Sequence, residues 1–135
     1  MSNLNLPALN FNSLDRLITD RAGHPAYTSK TVAYATTVER CNFGQGDYFI
    51  VKHHGSSIAS VSRDEVQVTC AGWASLTTLT RVSAVLRDNC TGVYACRRNW
   101  TARLGFYREG AEQLVTMDTR GWYRFVVGEI NPPLS

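Results

Sequence analysis

The closest approach to a catalytic pair in the sequence is a pair of histidines followed by a pair of serines. His53 and His54 precede Ser56 and Ser57, with one glycine between them. A histidine that takes the proton of a serine hydroxyl would give a hydrolase. His53 ends a predicted strand, and neighbours along a strand point to opposite faces, so we expect at most one of the histidines to face a given site.

The motifs that would strengthen a catalytic interpretation do not occur in the sequence. It has no G-x-S-x-G nucleophile elbow, no phosphate-binding P-loop and no H-E-x-x-H zinc motif. Its eleven acidic residues include no pair whose spacing would serve general acid-base catalysis. We therefore predict a protein that is not an enzyme and that carries no cofactor.

The cysteines do not follow a metal-binding or redox pattern. They are Cys41, Cys70, Cys90 and Cys96, and none belongs to a C-x-x-C pair. With His24, His53 and His54 they form no cluster that has zinc-ligand spacing. We expect free, mostly buried thiols and no bound metal, and only Cys90 and Cys96 are near enough in sequence to pair.

Positive charge is concentrated in the second half of the chain. The net charge is +3, yet residues 81–124 contain eight arginines and no lysine against four acidic residues. Arginine makes bidentate contacts to carboxylates and phosphates and stacks on aromatic rings, and tryptophans and tyrosines are interleaved here. The predicted binding surface consists of Arg97, Arg98, Trp100, Arg103, Arg108, Arg120 and Arg124.

Strand alternation divides part of this surface between two faces. Continuous alternation places Arg98, Trp100 and Ala102 on one face, with Arg97 and its alternating neighbours on the other. A solvated sheet face, with arginine stems lying along aromatic rings, is the structural alternative to a binding surface.

A strand-to-helix corner organises the elements around these residues. Gly72 and Trp73 lie between a β-type run, residues 65–71, and a helical run from Leu79 to Asp88. Glycine suits the exit from a strand, and a tryptophan at the bend is expected to be buried and to seat the helix on the sheet. The alternative is that a Trp-Thr-Thr-Arg surface holds a ligand.

Helical spacing predicts which side of this helix faces the core. Leu79, Val82 and Leu86 recur at that spacing, while Arg81 falls on another face. Thr77 or Thr78 is expected to cap the helix. The residues predicted to form this structural corner are Gly72, Trp73, Thr77, Thr78 and Arg81.

The order of the elements predicts an α+β fold. The predicted strands before the helix cover residues 31–40, 48–53, 58–62 and 66–71, and those after it cover 93–96 with 99–107, 113–117 and 122–127. Short links predict an antiparallel β-meander with one main helix packed across it, followed by further antiparallel strands. A short helix from Leu14 to Arg21, capped by Asn12 or Ser13 and ended by Gly23-His24-Pro25, precedes the meander.

Length and composition indicate one domain over residues 1–135, with a flexible arm or a loosely docked segment at 1–12 and a frayed tail at 131–135. No apolar run is long enough to span a membrane. The N-terminus lacks the positive start and apolar block of a signal peptide. We predict a cytoplasmic protein with no membrane partner, and the oligomeric state stays open.

The segments around the corner resemble a family of small uncharacterised proteins encoded by bacteriophages and prophages. The shared core reads His54-Gly55-Ser56-Ser57-Ile58-Ala59, then Gly72-Trp73, Thr77-Thr78 and Arg81. The resemblance covers residues 31–107, departs at Ser75, where the family commonly has threonine, and at Leu79, where it has a polar residue. It implies a phage origin and a shared fold, and it brings no known activity.

The resemblance also implies a class of function. Small phage proteins without catalytic groups commonly occupy the surface of a host protein, such as a polymerase or a CRISPR-type defence complex. We therefore predict an accessory protein that binds a host protein in the bacterial cytoplasm, in the manner of an anti-CRISPR inhibitor. One alternative is a single-stranded DNA- or RNA-binding protein that uses the arginine and aromatic β-surface. The other is a virion or oligomeric structural component.

Overall fold

The computed structural model describes residues 6–18, 29–42 and 47–129, and over these it has two helices and nine strands. The first half of the chain forms α1 (Phe11–Leu17), β1 (Ser29–Ala33), β2 (Thr36–Asn42), β3 (Asp47–His53), β4 (Ser56–Val61) and β5 (Glu65–Val68). The second half forms α2 (Leu76–Asp88), β6 (Tyr94–Arg98), β7 (Thr101–Arg108), β8 (Ala111–Thr116) and β9 (Tyr123–Val126).

The first sheet has six antiparallel strands: a five-stranded meander, β1 to β5, and the last strand of the chain, β9, at its edge. Its order is β1-β2-β3-β4-β5-β9, with every neighbouring pair antiparallel. Alternation along β3 buries Phe49, Val51 and His53, so this face lies on the core. The predicted meander and the α+β class are confirmed, and β9 joins the meander by pairing Phe125 with Val66.

The second sheet has three strands and covers another side of helix α2. Its order is β6-β7-β8, and its inner face contributes Ala95, Ala102, Leu104 and Phe106 to the core. The hydroxyl of Ser83 on α2 accepts from the Ala95 amide at 2.7 Å and donates to the Ala95 carbonyl at 2.6 Å. Helix α2 therefore packs against both sheets.

Helix α2 begins one turn earlier than predicted. Its N-cap is Ser75, whose hydroxyl accepts from the Thr78 amide at 3.2 Å, so neither Thr77 nor Thr78 has this role. The predicted strand over residues 31–40 is in fact a hairpin, because the chain reverses at Tyr34 and Ala35, where Ala35 has a φ of 50°.

The N-terminal segment is docked on the core, at least from Leu9 onwards. Leu9 and Phe11 are buried, and the Leu9 amide donates to the Asp88 carboxylate at 3.0 Å. The predicted flexible arm is therefore wrong for these residues. Helix α1 also starts earlier than predicted and is capped by Asn10. The predicted helix stop at 23–25, His24 and the tail at 131–135 lie outside the described residues.

The prediction that Trp73 is buried is wrong, because 67% of its surface is exposed. A tight turn from Cys70 to Trp73, with Ala71 and Gly72 at positive φ, directs the chain outwards before the helix starts. The Gly72 amide then donates to the Thr119 carbonyl at 2.7 Å. The bend is thus held by its backbone rather than by the indole.

Arg81 occupies the structural role predicted for the tryptophan. It is only 3% exposed, although helical periodicity placed it away from the core. Its Nε donates to the Thr36 hydroxyl at 2.5 Å, Nη2 to the Tyr34 carbonyl at 2.9 Å and Nη1 to the Thr77 carbonyl at 2.8 Å. These bonds tie the first turns of α2 to the β1–β2 turn.

No helix among the described residues is both long enough and apolar enough to cross a membrane.

Replacing Arg81 by lysine is expected to reduce the free energy of unfolding by about 3 kcal/mol, because one ammonium cannot reproduce the fork of three bonds. Trp73→Ala is expected to change it by less than about 1 kcal/mol, as is usual for an exposed side chain. Urea unfolding of both variants measures the two effects. A larger loss for Trp73→Ala than for Arg81→Lys would contradict this assignment.

Candidate functional site

The motif residues around the corner converge on one cavity of about 430 Å³. The β3–β4 turn and the start of α2 border it, and we call it the corner cavity. Its polar lining comes from His53, His54, Ser56, Ser75, Thr77 and Thr78, and the rest of its wall comes from Ile58, Cys70, Ala71 and Trp73. Segments that are far apart in sequence are thus brought together, whereas Arg81 lies just behind the wall.

Both histidines border the cavity, which corrects the prediction that at most one could face a site. His53 is the last residue of β3, whereas His54 has a φ of 50° and has already left the strand, so alternation no longer applies. The two rings lie 4.3 Å apart between centroids. His54 is exposed at the rim, and His53 is 5% exposed.

The environment of His53 favours its neutral form. Its Nε2 lies 3.4 Å from the Thr77 hydroxyl, and its buried Nδ1 makes no hydrogen bond of good geometry among the described residues. Burial lowers the pKa of His53, and the charges of Arg81 and His54 lower it further. An interaction with the backbone of Ala35 acts in the opposite direction and is weaker than these effects.

Cys70 forms part of the cavity wall as an unreactive thiol. Burial raises its pKa to about 11, and its sulfur lies 3.8 Å from that of Met117. Because the thiolate is the nucleophilic form, this cysteine has little reactivity at neutral pH. All four cysteines are free, but only Cys70 is buried, so the prediction of mostly buried thiols is wrong.

The start of helix α2 borders the corner cavity through Ser75, Thr77 and Thr78, and the N-terminal end of a helix is the positive end of its dipole. The amides of Leu76 and Thr77 make no hydrogen bond within the described residues, because Ser75 caps only the Thr78 amide. No acidic residue lines the cavity. The Arg81 guanidinium behind it has no carboxylate partner among the described residues, and burial lowers its pKa.

The predicted arginine surface has its most exposed aromatic residue at the turn between β6 and β7. Asn99 and Trp100 form this two-residue turn, with φ values of 53° and 63°. Trp100 is 83% exposed, and the Arg97 guanidinium lies 4.8 Å from the centre of its ring. We call Arg97, Arg98 and Trp100 the hairpin tip.

The turn changes which arginines share a face. Arg98 pairs with Thr101 and Arg97 with Ala102, so Arg98 and Arg103 lie on the outer face of the sheet. Ala102 is buried on the inner face, and the prediction that it shares a face with Arg98 is wrong because alternation was carried through the turn. Arg108, at the far end of β7, lies 5.6 Å from the centre of the Phe106 ring.

Two residues missed by sequence reasoning organise the outer face of the small sheet. Tyr94 lies flat across Gly105, where a Cβ atom would overlap the ring, and its hydroxyl donates to Glu112. Glu112 also accepts from Arg98, whose Nη2 is 3.2 Å away. Alternation along the strands predicts that Tyr94 lies on this face. The contacts of the Glu112 carboxylate with Tyr94 and Arg98 depend on the twist of the sheet, which the sequence does not show.

The remaining predicted residues lie elsewhere. The guanidinium of Arg120 lies over Gly72, about 3.7 Å from where a Cβ atom would be. Arg124 belongs to β9 in the large sheet and forms an ion pair with Glu65 at 3.4 Å. The predicted arginine surface is therefore divided among the hairpin sheet, the corner and the large sheet.

Within the described residues, no three or more histidine, cysteine, aspartate or glutamate side chains are grouped so that they could hold a metal ion.

The profile of one protein family, described as Kyanoviridae Gp96 protein, matches residues 22–130 of the chain. No curated protein matches the sequence, and no solved structure matches it either. The family match covers both sheets, the corner cavity and the hairpin tip.

His53 is expected to make stability depend on pH. Its pKa is lowered in the folded state, so below about 6.5 the unfolded chain binds the proton more readily than the folded chain. The contribution of neutral His53 to the free energy of unfolding is complete above pH 6.5. It is lost as the pH falls from 6.5 towards the pKa of His53 in the folded state. Urea midpoints from pH 8 to pH 5 should therefore decline more steeply for the native protein than for His53→Gln.

His54→Gln is the second variant: it removes only the smaller contribution of the neighbouring charge to the lowered pKa of His53, so it should reduce the pH dependence less than His53→Gln does. Parallel curves for the native protein and His53→Gln would contradict the prediction.

Proposed function

Because this chain belongs to the Kyanoviridae Gp96 family of phage proteins, we propose that it acts in the host cytoplasm by binding a host protein. The binding site is the hairpin tip with the outer face of the small sheet. A subunit of a defence complex or of a polymerase is the class of target that such an accessory protein would occupy. The proposal includes no chemical reaction.

The observation that carries the proposal is the identity of the residue at the β6–β7 turn. Two other hairpin turns, His54-Gly55 and Glu109-Gly110, also have positive φ at both residues and place glycine second. Such turns favour glycine because other residues are strained there, and a bulky residue is a clear outlier. Trp100 is 83% exposed at this position, so burial does not compensate for the strain. Folding alone gives no reason for a tryptophan here.

The surroundings of Trp100 suit a protein partner. The Arg97 guanidinium on its ring restricts the indole before binding, which reduces the conformational entropy lost on association. Tryptophan, arginine and tyrosine are the residue types most enriched at interface hot spots, and Tyr107 adds an aromatic ring that is 67% exposed.

The distribution of the arginines favours a protein over a nucleic acid. Arg98 is paired with Glu112, and Arg124 with Glu65, so a phosphate would have to compete with a carboxylate at both. Arg120 and Arg124 also lie apart from the hairpin tip, whereas a single strand needs a continuous basic path. A protein surface can accommodate charges that are already paired.

A binding role without catalysis also agrees with the chemistry of the corner cavity. The Cys70 thiol is held in its protonated form, and no carboxylate lines the cavity to orient a histidine.

Trp100→Gly is expected to stabilise the protein by about 1 kcal/mol, because glycine removes the strain of positive φ. The same change should abolish capture of the host partner. Tagged native and variant proteins would be used as baits in nuclease-treated host lysate, and the captured protein would then be purified and titrated directly. An increase in stability with a loss of binding separates a functional side chain from a structural one.

Glu109→Gly is the matched control, since it relieves the same strain at the neighbouring turn, where φ is 54°, and retains the tryptophan. Equal capture by Trp100→Gly and the native protein would contradict the proposal. Capture that occurs only in lysate without nuclease treatment would point instead to nucleic acid.

A further inference from the structure

We propose that strand β8 is a dimerisation edge, which pairs antiparallel with β8 of a second copy of this chain about a two-fold axis at Leu114. The small sheet of each copy then becomes half of one continuous sheet. The hairpin tip takes no part in this contact, so the inference does not depend on the proposed host protein.

Three of the four sheet edges are protected against pairing with another strand. Strand β1 carries Lys30 and a shift in its register, and β9 has only four residues, of which Arg124 is exposed. On β6, the Ser83 hydroxyl accepts from the Ala95 amide and donates to the Ala95 carbonyl, so helix α2 covers that edge. Charge, irregular register, short length and coverage are the features by which proteins keep an edge strand from pairing.

Strand β8 has none of these protections among the described residues. It runs for six residues, from Ala111 to Thr116, and pairs with β7 without a shift in register. It contains no proline, lysine or arginine. Its one charged side chain, Glu112, accepts from Tyr94 and Arg98 of β6, which draws the carboxylate over the sheet and away from the free edge. The edge is therefore open to a further strand.

The ladder between β7 and β8 shows which backbone groups this edge offers. The Met117 amide donates to the Ala102 carbonyl at 2.9 Å, so every second residue back from Met117 directs its N–H and C=O at β7. The residues between them, Glu112, Leu114 and Thr116, direct theirs away from β7. No described residue bonds to these groups, and they are the donors and acceptors that an added strand needs.

A second copy of β8 fits this edge in the register centred on Leu114. Pairing Leu114 with its own copy places Glu112 opposite Thr116, so each outward-directed residue meets another one. This register joins two half-buried leucines at the axis and sets no like charges opposite each other. Shifting it by two residues in either direction would place Glu112 opposite Leu114 or opposite Asp118. The strand is thus complementary to itself in one register, which a two-fold interface requires.

The dimer leaves the hairpin tip of each copy uncovered. Two strands that pair within one sheet have their two-fold axis perpendicular to it, so both outer faces lie on the same side. The β6–β7 turn lies near the Thr116 end of β8, because Arg103 pairs with Thr116. Antiparallel pairing therefore places the two tips at opposite ends of the continuous sheet.

The first test is the mass of the purified full-length protein, measured by sedimentation equilibrium from about 1 µM to about 1 mM, the range of weak specific association. The mass should approach twice the chain mass of 15.0 kDa as the concentration rises, because a single strand pair gives a small interface. A mass of one chain at every concentration would overturn the proposal.

Two variants of the residue at the axis test the register. Leu114→Lys and Leu114→Glu each place like charges opposite each other and should weaken the dimer at least about tenfold. An equimolar mixture of the two variants should dimerise again, because lysine then faces glutamate. Only a register in which residue 114 meets its own copy gives this recovery. Thermal melts would check that both variants are folded.

Val126→Lys is the matched control, since it places a lysine at an exposed position of β9, the edge strand of the other sheet, and should leave the dimer unchanged. The same loss in Val126→Lys as in Leu114→Lys, or a mixture that stays monomeric, would overturn the proposal. A native protein that is monomeric, and whose Leu114 amide is protected from hydrogen exchange only when a captured host protein is added, would assign the edge to a host strand instead.

Discussion

The hydrogen bonds of the buried Arg81 guanidinium are the interaction on which the arrangement of the corner depends. The guanidinium joins the first turns of α2 to the β1–β2 turn through the Tyr34 carbonyl and the Thr36 hydroxyl, and it also bonds back to the Thr77 carbonyl of its own helix. A charge can be buried in this way only when hydrogen bonds replace the water it loses. The bonds therefore fix where α2 begins, and with it the position of the corner cavity.

The second constraint is the set of turns at positive φ. His54-Gly55 brings a histidine to the cavity rim, Ala71-Gly72 turns the chain so that the indole of Trp73 faces solvent, and Asn99-Trp100 presents a second indole at the hairpin tip. In each case the backbone, rather than the packing of the side chain, decides where a ring points. The same device therefore shapes both the corner cavity and the hairpin tip.

The two regions differ in the kind of ligand that their geometry can hold. The corner cavity is concave and lined by polar and apolar side chains, which suits a small molecule. The hairpin tip projects from the fold and holds one aromatic ring under a guanidinium, which suits the surface of another protein. Helix α2 begins at the corner cavity and packs its far side on β6, so the two regions share one rigid support.

The sequence by itself determined the class of fold, most of the strands and the residues of the corner, because alternation, helical spacing and turn residues are local properties. It also marked Arg97, Arg98 and Trp100 as neighbours. Only the tertiary structure decided that Arg81 is buried and Trp73 is exposed, because the β1–β2 turn, which is distant in sequence, covers the guanidinium and the turn at Ala71 and Gly72 directs the indole outwards. It likewise decided that Arg120 and Arg124 leave the hairpin surface, because pairing of β9 with β5 depends on contacts between residues about sixty positions apart.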